Sequence, residues 1–535
     1  MTVRRIMGLE TEFGVIADSG NPIAWSTEVV DTYARYGRAG SGATPVRWDY
    51  AAEDPLLDAR GFRRERAAAH PSQLTDDPNQ LAPSGTETEL LSAAAAAELS
   101  RPQAANTVLR NGARLYVDHA HPEYSGPEVT NPREAVLWDR AGDQIARETL
   151  ALLNAGDSNY ALYKNNVDGK GASYGTHENY LVRREVPFDE IIRYLTPFFV
   201  TRPIICGAGR VGIGQKSEVP GFQISQRADY VENDVGLETT FNRPIINTRD
   251  EPHADGTKYR RLHVIGGDAN LFDISNLLKV GTTSLVLWLL ENGPVPLELD
   301  AMALYSPVRA TWEVSHDIEL TRKLDMHDEA QRTAIEIQQV YLDVVSTALA
   351  ERSEVDADTA EVLRLWQEVL DALRTDPASA ANRVEWIAKY QLLESLRARD
   401  QLPWDSDALR AFDLQWHDLR PGKSIVERLD AAGRIERIFS PAEVDWAVLN
   451  APRGTRAYLR GGLINKFPAA VRAAGWESIT VAAERYHGLV RIPLLDPAGA
   501  NQDAAAAALA ATDIDEFIAQ WQPETSQKLA NTSES

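Results

Sequence analysis

The chain has 535 residues, with 78 Asp and Glu against 55 Lys and Arg, giving a formal net charge of −23. That surplus argues against nonspecific nucleic-acid binding, which runs on phosphate neutralisation, and a single cysteine, Cys206, excludes a disulfide framework or a cysteine-based zinc site. No apolar run reaches the roughly 18 residues of a membrane-spanning helix, so the expectation is a cytoplasmic protein of one large domain or two, with no nucleic-acid or membrane partner.

The first predicted strand is Ile6-Met7-Gly8-Leu9-Glu10-Thr11-Glu12-Phe13-Gly14-Val15. Side chains alternate along a strand, so Met7, Leu9, Phe13 and Val15 share an apolar face while Gly8, Glu10, Glu12 and Gly14 share the other. Two carboxylates at this spacing repel unless water or a cation lies between them, and oxygen ligands suit Mg²⁺. A solvated strand face is the plain alternative. Residues 43–106 then read as a long polar loop, with a short helix near 87–99 around the alanine run. Loops of this length are functional or disordered. This one lies between two candidate site strands, so it is expected to fold over or near that site.

The next strand, Asn111-Gly112-Ala113-Arg114-Leu115-Tyr116-Val117-Asp118, points Arg114, Tyr116 and Asp118 one way and Leu115 and Val117 into a core. Glu123, after Pro122, can turn back to the same place. An edge strand with an Arg–Asp cross-pair is the alternative. Glycines at 169, 171 and 175 lead into a strand on which His177 and Asn179 share a face. A neutral imidazole can ligate a metal, though a lone His is more often structural. Further on, Arg261 and His263 share a polar face opposite Leu262 and Val264, and an arginine fork suits phosphate.

From about 330 the pattern becomes helical. Ile337, Val340, Tyr341, Val344 and Ala348 step by three and four, as do Val362, Trp366, Val369, Leu370 and Leu373. A third helix is expected over 380–398. A smaller α/β module follows Pro421-Gly422, then a helical stretch over 501–520 and a polar tail over 523–535. Gly209-Arg210-Val211-Gly212-Ile213-Gly214 is not a dinucleotide fingerprint, and neither a Walker A motif nor a Gly-x-Ser-x-Gly elbow occurs. Four strands, each with one apolar face and one face of Glu, Tyr, Asp, His or Arg, are explained together by a concave antiparallel sheet lined with metal and phosphate ligands.

These residues resemble a known family. Gly8-Leu9-Glu10-Thr11-Glu12-Phe13-Gly14, the Asn111–Asp118 row with His121-Pro122-Glu123-Tyr124, Tyr174-Gly175-Thr176-His177-Glu178-Asn179-Tyr180 and Arg249-Asp250-Glu251-Pro252-His253-Ala254-Asp255 are similar to the Pup ligase/depupylase family. Pup is a small prokaryotic ubiquitin-like protein of actinobacteria. The resemblance implies an α+β fold of glutamine-synthetase-like type: a curved antiparallel sheet cradle packed against helices, plus a small C-terminal α/β domain. It sets a catalytic domain at 1–428 with the 43–106 loop, a small domain at 429–500, and a helix and disordered tail at 501–535.

One branch of the family ligates Pup to lysines, and the other deamidates the C-terminal Gln of Pup and cuts Pup from pupylated proteins. The stretches Trp48-Asp49-Tyr50, Pro55–Phe62 and Val167–Tyr174 resemble the second branch, whereas Glu10-Thr11-Glu12-Phe13 looks more like the ligase. The implied activity is ATP- and Mg²⁺-dependent amide and isopeptide hydrolysis, with the ligase and a noncatalytic Pup- or nucleotide-binding regulator as alternatives. The implied metal ligands are Glu10, Tyr116, Glu123, His177 and His263, with Glu12 beside them. Arg114, Asn179 and Arg261 would contact ATP, and Asp118 would be the catalytic carboxylate. Arg202, Arg210, Arg227 and Arg243 are candidates for a basic groove that takes Pup.

Overall fold

The computed structural model describes residues 3–42, 46–51, 53–74, 76, 87–98 and 105–521. Its centre is a six-stranded sheet of β1 (Met7–Glu12), β2 (Asn106–Val108), β3 (Arg114–Asp118), β4 (His121–Ser125), β5 (Thr176–Arg183) and β6 (Tyr259–Val264). Their spatial order is β6-β5-β1-β4-β3-β2, and every neighbouring pair is antiparallel. One face is apolar, as the alternation requires. Met7, Leu9, Leu115, Tyr124, Tyr180, Val182, Leu262 and Val264 are buried there, in one core with the helices.

Five helices define that layer: α1 (Pro22–Tyr36), α2 (Pro132–Leu153), α3 (Asp273–Asn292), α4 (Ala334–Arg352) and α5 (Ala357–Thr375). Their starts are written locally. Asn131 caps α2 with Pro132 in the first turn, Thr333 and Glu336 close a capping box on α4, and Asp356 caps α5. Helix α3 is buried on all sides from Asp273 to Leu290, and its buried polar side chains are paired: Lys279 donates to the Asp268 carbonyl and to Asn270 Oδ1, and Asn276 donates to Asp139. The two expected helices are α4 and α5, and the third is α6 (Glu385–Asp400). Among the described residues no helix is long and apolar enough to cross a membrane.

A second, smaller core begins at α7 (Ala457–Lys466) and continues through β7 (Val471–Ala474), β8 (Ser478–Ala483) and β9 (Gly488–Pro493). The helical stretch after it is two helices, α8 (Gln502–Leu509) and α9 (Ile514–Trp521). The tail expected beyond 522 lies outside the described residues, as do parts of the expected loop.

What is described of that loop is not structureless. Arg47–Trp48 runs parallel to β7, and Glu89–Leu90 pairs with β9, so the small sheet has the order Arg47–Trp48, β7, β8, β9, Glu89–Leu90. Val46 and Trp48 belong to the second core. The expected short helix is Ala93–Glu98. Two-residue strands carry almost no periodic signal, so sequence alone reads them as loop.

Candidate active site

The polar face of the central sheet gathers the site. Glu10 lies directly opposite His177 on β5, and Asn179 opposite His263 on β6. Glu12 lies opposite Glu123 on β4, and Tyr116 on β3 opposite the same Glu123. The register thus separates the expected ligands into two groups, each with its donor atoms within 4.8 Å of one another. One is Glu10, His177 and His263. The other is Glu12, Asp118 and Glu123.

In the first group Glu10 Oε2 lies 3.3 Å from His177 Nδ1 and 3.9 Å from His263 Nε2. Asn179 donates to Glu10 Oε1 at 3.0 Å, and Arg261 donates to Asn179 Oδ1 at 2.6 Å and to the Glu251 carbonyl at 2.8 Å. Burial pushes the Glu10 carboxyl up, but the His177 and Asn179 hydrogen bonds and the neighbouring cations hold it below its usual value. Burial and the charges of Arg261 and His177 push His263 far below an ordinary imidazole, so its ring is neutral. His263 is buried, and neither ring nitrogen has a hydrogen-bond partner among the described residues. Buried polar atoms are seldom left unpaired, and a neutral imidazole beside a carboxylate fits a divalent cation.

In the second group burial, then the charges of Asp118, Glu10 and Glu12, raise Glu123 far above a normal carboxylate. Its Oε2 is buried without a hydrogen-bond partner among the described residues. Three converging carboxylates of this kind suit a hard cation, which relieves their repulsion. Tyr116 borders the group, and burial with the Glu123 charge keeps its phenol protonated. Asp118 ends β3 before the turn at His119, whose φ of 51° is left-handed; Ser26 of α1 holds that turn by donating to the Ala120 carbonyl at 2.8 Å. Burial pushes Asp118 up, but His119 Nδ1, 3.0 Å away, and the charges of His119, His177 and Arg114 keep it below the usual carboxylate value. It is therefore ionised at neutral pH. The two groups meet at Gly175, whose amide donates to Glu12 Oε1 at 2.8 Å. A Cβ there would collide with the His177 ring and the Glu12 carboxylate.

Beside the first group, Gly8, Glu10, Asn179 and Arg261 line a pocket. His253 shares the lining, as do Arg456, Trp476 and Pro497 of the C-terminal side. Arg114 lies further along the sheet, buried among Trp48, Tyr50 and Tyr116.

Sequence reasoning missed several residues that meet here. Arg249 is only 8% exposed, and its Nε and Nη2 have no hydrogen-bond partner among the described residues. Its segment carried a motif, but nothing local marks a guanidinium as unsatisfied. Glu53 accepts from the Trp48 indole at 2.7 Å, and burial, with the Glu251 charge, pushes it up to about 7 against the pull of Arg114. The loop also docks on this segment. Asp58 bridges Arg249 antiparallel, Thr248 donates to Asp58 at 2.7 Å, and the Asp54 amide donates to Glu251 at 2.8 Å.

The four arginines expected to form a basic groove are engaged inside the protein instead. Arg202 is buried in a two-pronged pair with Glu178 at 2.7 and 2.8 Å. Arg210 pairs with Asp229 at 3.1 Å, Arg227 donates to the Tyr174 carbonyl, and Arg243 donates to the Ser173 carbonyl at 2.9 Å. Nearness in sequence to the site placed these side chains inside the fold, where partners distant in sequence neutralise or bind them.

An antiparallel floor with helices behind it, two clusters of candidate cation ligands and an arginine-flanked pocket make up an α+β fold. Residues 5–480 match the Pup-ligase protein family, and the chain belongs to that family. It is 47% identical over 504 residues to the depupylase of Acidothermus cellulolyticus, covering 92% of this chain and 94% of that one. It is 45% identical over 506 residues to the Pup deamidase/depupylase of Mycobacterium tuberculosis, with the same coverage. Among solved structures, a complex of Pup with its ligase matches with a TM-score of 0.75 at 29% identity, covering 99% of this chain and 94% of that one. A Pup ligase in complex with ADP matches with a TM-score of 0.66 at 34% identity, covering 82% and 96%.

Proposed function

We propose that this chain is a Pup deamidase/depupylase: it hydrolyses the C-terminal carboxamide of Pup and the isopeptide bond between Pup and substrate lysines, in the cytoplasm, with ATP and Mg²⁺ as cofactors. The observation that carries the reading is the convergence of Glu10, His177 and His263, and of Glu12, Asp118 and Glu123, on one sheet face. Near-full-length identity of 47% to a depupylase supports the hydrolytic branch, and the ADP complex of a 34% identical ligase supports nucleotide binding.

In this reading Glu10, His177 and His263 hold one Mg²⁺, and Glu12 and Glu123 hold a second, with Tyr116 at its border. Arg114, Asn179 and Arg261 bind the nucleotide, with Arg249 as a further phosphate donor, since its Nε and Nη2 have no hydrogen-bond partner among the described residues while Nη1 faces Glu251 at 3.6 Å. When bound, these cations supply positive charge beside the amide under attack. Asp118 is the reacting carboxylate. Kept ionised by His119 and its neighbours, it is competent either to attack the carbonyl carbon or to take the proton of an attacking water. Arg261 and Asn179 orient Glu10 through a chain of hydrogen bonds, so the first group is built before any ligand arrives.

Incubation with a Pup–substrate conjugate, ATP and Mg²⁺ tests the reading. Release of free Pup, dependent on both cofactors, is expected. New conjugates without release would assign the chain to the ligase branch. Solvent ¹⁸O found in Asp118 after turnover would identify direct attack.

A further inference from the structure

The C-terminal module also touches the site through Trp48, which packs against the pocket-lining Trp476. Strand Arg47–Trp48 runs parallel to β7, with Arg47 beside Ala473 and Trp48 beside Ala474. The Asp49 amide donates to the Ala474 carbonyl at 3.0 Å, and Ser478 donates to Asp49 Oδ2 at 2.7 Å. Trp48 is 1% exposed and meets Trp476 edge-on at 5.1 Å. Its indole N–H is fixed on Glu53. The ring is therefore held by the small sheet, yet it covers a side chain of the large one: the Arg114 guanidinium carbon lies 4.0 Å from the Trp48 ring centroid and 3.7 Å from that of Tyr116. Tyr50, two residues on, accepts from Arg114 Nη2 at 3.2 Å, and Asn106 accepts from Nε at 3.3 Å.

We propose that Trp48 is a positioning residue: mounted on the C-terminal sheet, its ring face holds the Arg114 guanidinium in the direction that binds nucleotide phosphate. This rests on the reading of Arg114 as a nucleotide ligand. The physical ground is threefold. Arg114 is buried, where a cation over an aromatic face gains most. A long side chain left free would spread over several rotamers and lose ordering on binding. Trp48 itself is too deeply covered to reach a ligand, so any effect it has passes through its neighbours.

The test uses the full-length enzyme in the conjugate-cleavage assay, reading KM for ATP against kcat. Trp48→Met keeps most of the apolar bulk and loses the π face, and is expected to raise the ATP KM about 2- to 30-fold, the range of one buried cation–π contact, with a smaller change in kcat. Trp48→Phe, which restores a ring, is expected to recover most of the affinity. In an Arg114→Ala background Trp48→Met should add less than about twofold, because residues acting through one another are not additive. An unchanged KM, or the same factor in both backgrounds, overturns the proposal. If Trp48→Met fails to fold, tryptophans of increasing fluorine content placed at position 48 alone keep the shape and weaken the π face. A stepwise rise in KM supports the proposal and a flat series refutes it. Arg114→Ala that leaves the ATP KM unchanged would instead remove the functional reading of Arg114, a separate failure.

Discussion

The contact between module and sheet makes a quantitative prediction at Glu128. This carboxylate follows β4 and receives two arginines of the C-terminal side: Arg456 Nε at 2.7 Å and Arg460 Nη2. Arg460 is wholly buried and also donates to the Gly112 carbonyl at 3.0 Å. Burial pushes Glu128 up, but Arg460 and Arg456 outweigh it and bring its pKa from the ordinary 4.5 to about 2. At about 1.4 kcal/mol per tenfold, that drop is worth about 3 kcal/mol. Breaking a buried pair costs about 3–5 kcal/mol; since burial also pulls Arg456 below its usual value, the lower end applies.

Glu128→Gln keeps the shape and removes the charge. About 3 kcal/mol is a factor of about 150, so hydrogen exchange in β7–β9 should speed up by roughly that factor at pH 7. ATP should also bind more weakly, because Arg456 and Trp476 line the pocket. The folded pKa lies below the unfolded one, so this stabilisation is complete above about pH 4.5 and is lost as pH falls toward 2. The gap between variant and parent must shrink over that window. Less than about fivefold faster exchange at pH 7, or a gap that does not change with pH, would refute the argument.

His263→Ala removes a buried imidazole from the first group. The Mg²⁺ concentration for half-maximal cleavage should rise at least about tenfold; an unchanged magnesium titration removes His263 as a ligand. Asp118→Asn should lower the cleavage rate by about 10²–10⁴-fold while fluorescent ATP-analogue binding persists, and full activity would remove the assignment. Asp58→Ala strips the acceptor of Thr248 and of Arg60, whose Nε and Nη2 lie 2.9 and 2.8 Å away. Residues 54–64 should then become several-fold more sensitive to limited proteolysis, with a cost of about 1–3 kcal/mol for the unpaired donors; unaltered cleavage would show that the loop docks by other means.

The parts of this site legible in the sequence are those set by strand alternation. Glu10 with Glu12, Arg261 with His263, and Arg114 with Tyr116 and Asp118 were readable because each set lies on one strand, where a period of two assigns the face. What alternation cannot give is the offset between strands. It could not say that Glu10 would stand with His177 while Glu12 stood with Glu123, or that Asp118 would share the second group. Nor could it place Arg47–Trp48 beside β7, more than 400 residues downstream. The arginines at 202 and 210 misled for the same reason: Glu178 and Asp229 decide their environment, and no local pattern names them. Helices α4 and α5 were legible because four-residue periodicity and capping residues are local.

The division into two cation groups follows from β1 being central. Glu10 and Glu12 are two residues apart on the same face, and their donor atoms fall in separate candidate groups. Each carboxylate faces a different neighbour: Glu10 faces β5 and, beyond it, β6; Glu12 faces β4 and, beyond it, β3. The register that makes this possible is held from the opposite face, where Met7 and Leu9 are buried against the helices. A slip of β1 by one residue would turn those side chains toward solvent and both carboxylates into the core. The hydrophobic face thus fixes the chemistry on the other side of the strand, and apolar packing beneath β1 is as much a requirement of the site as the carboxylates themselves.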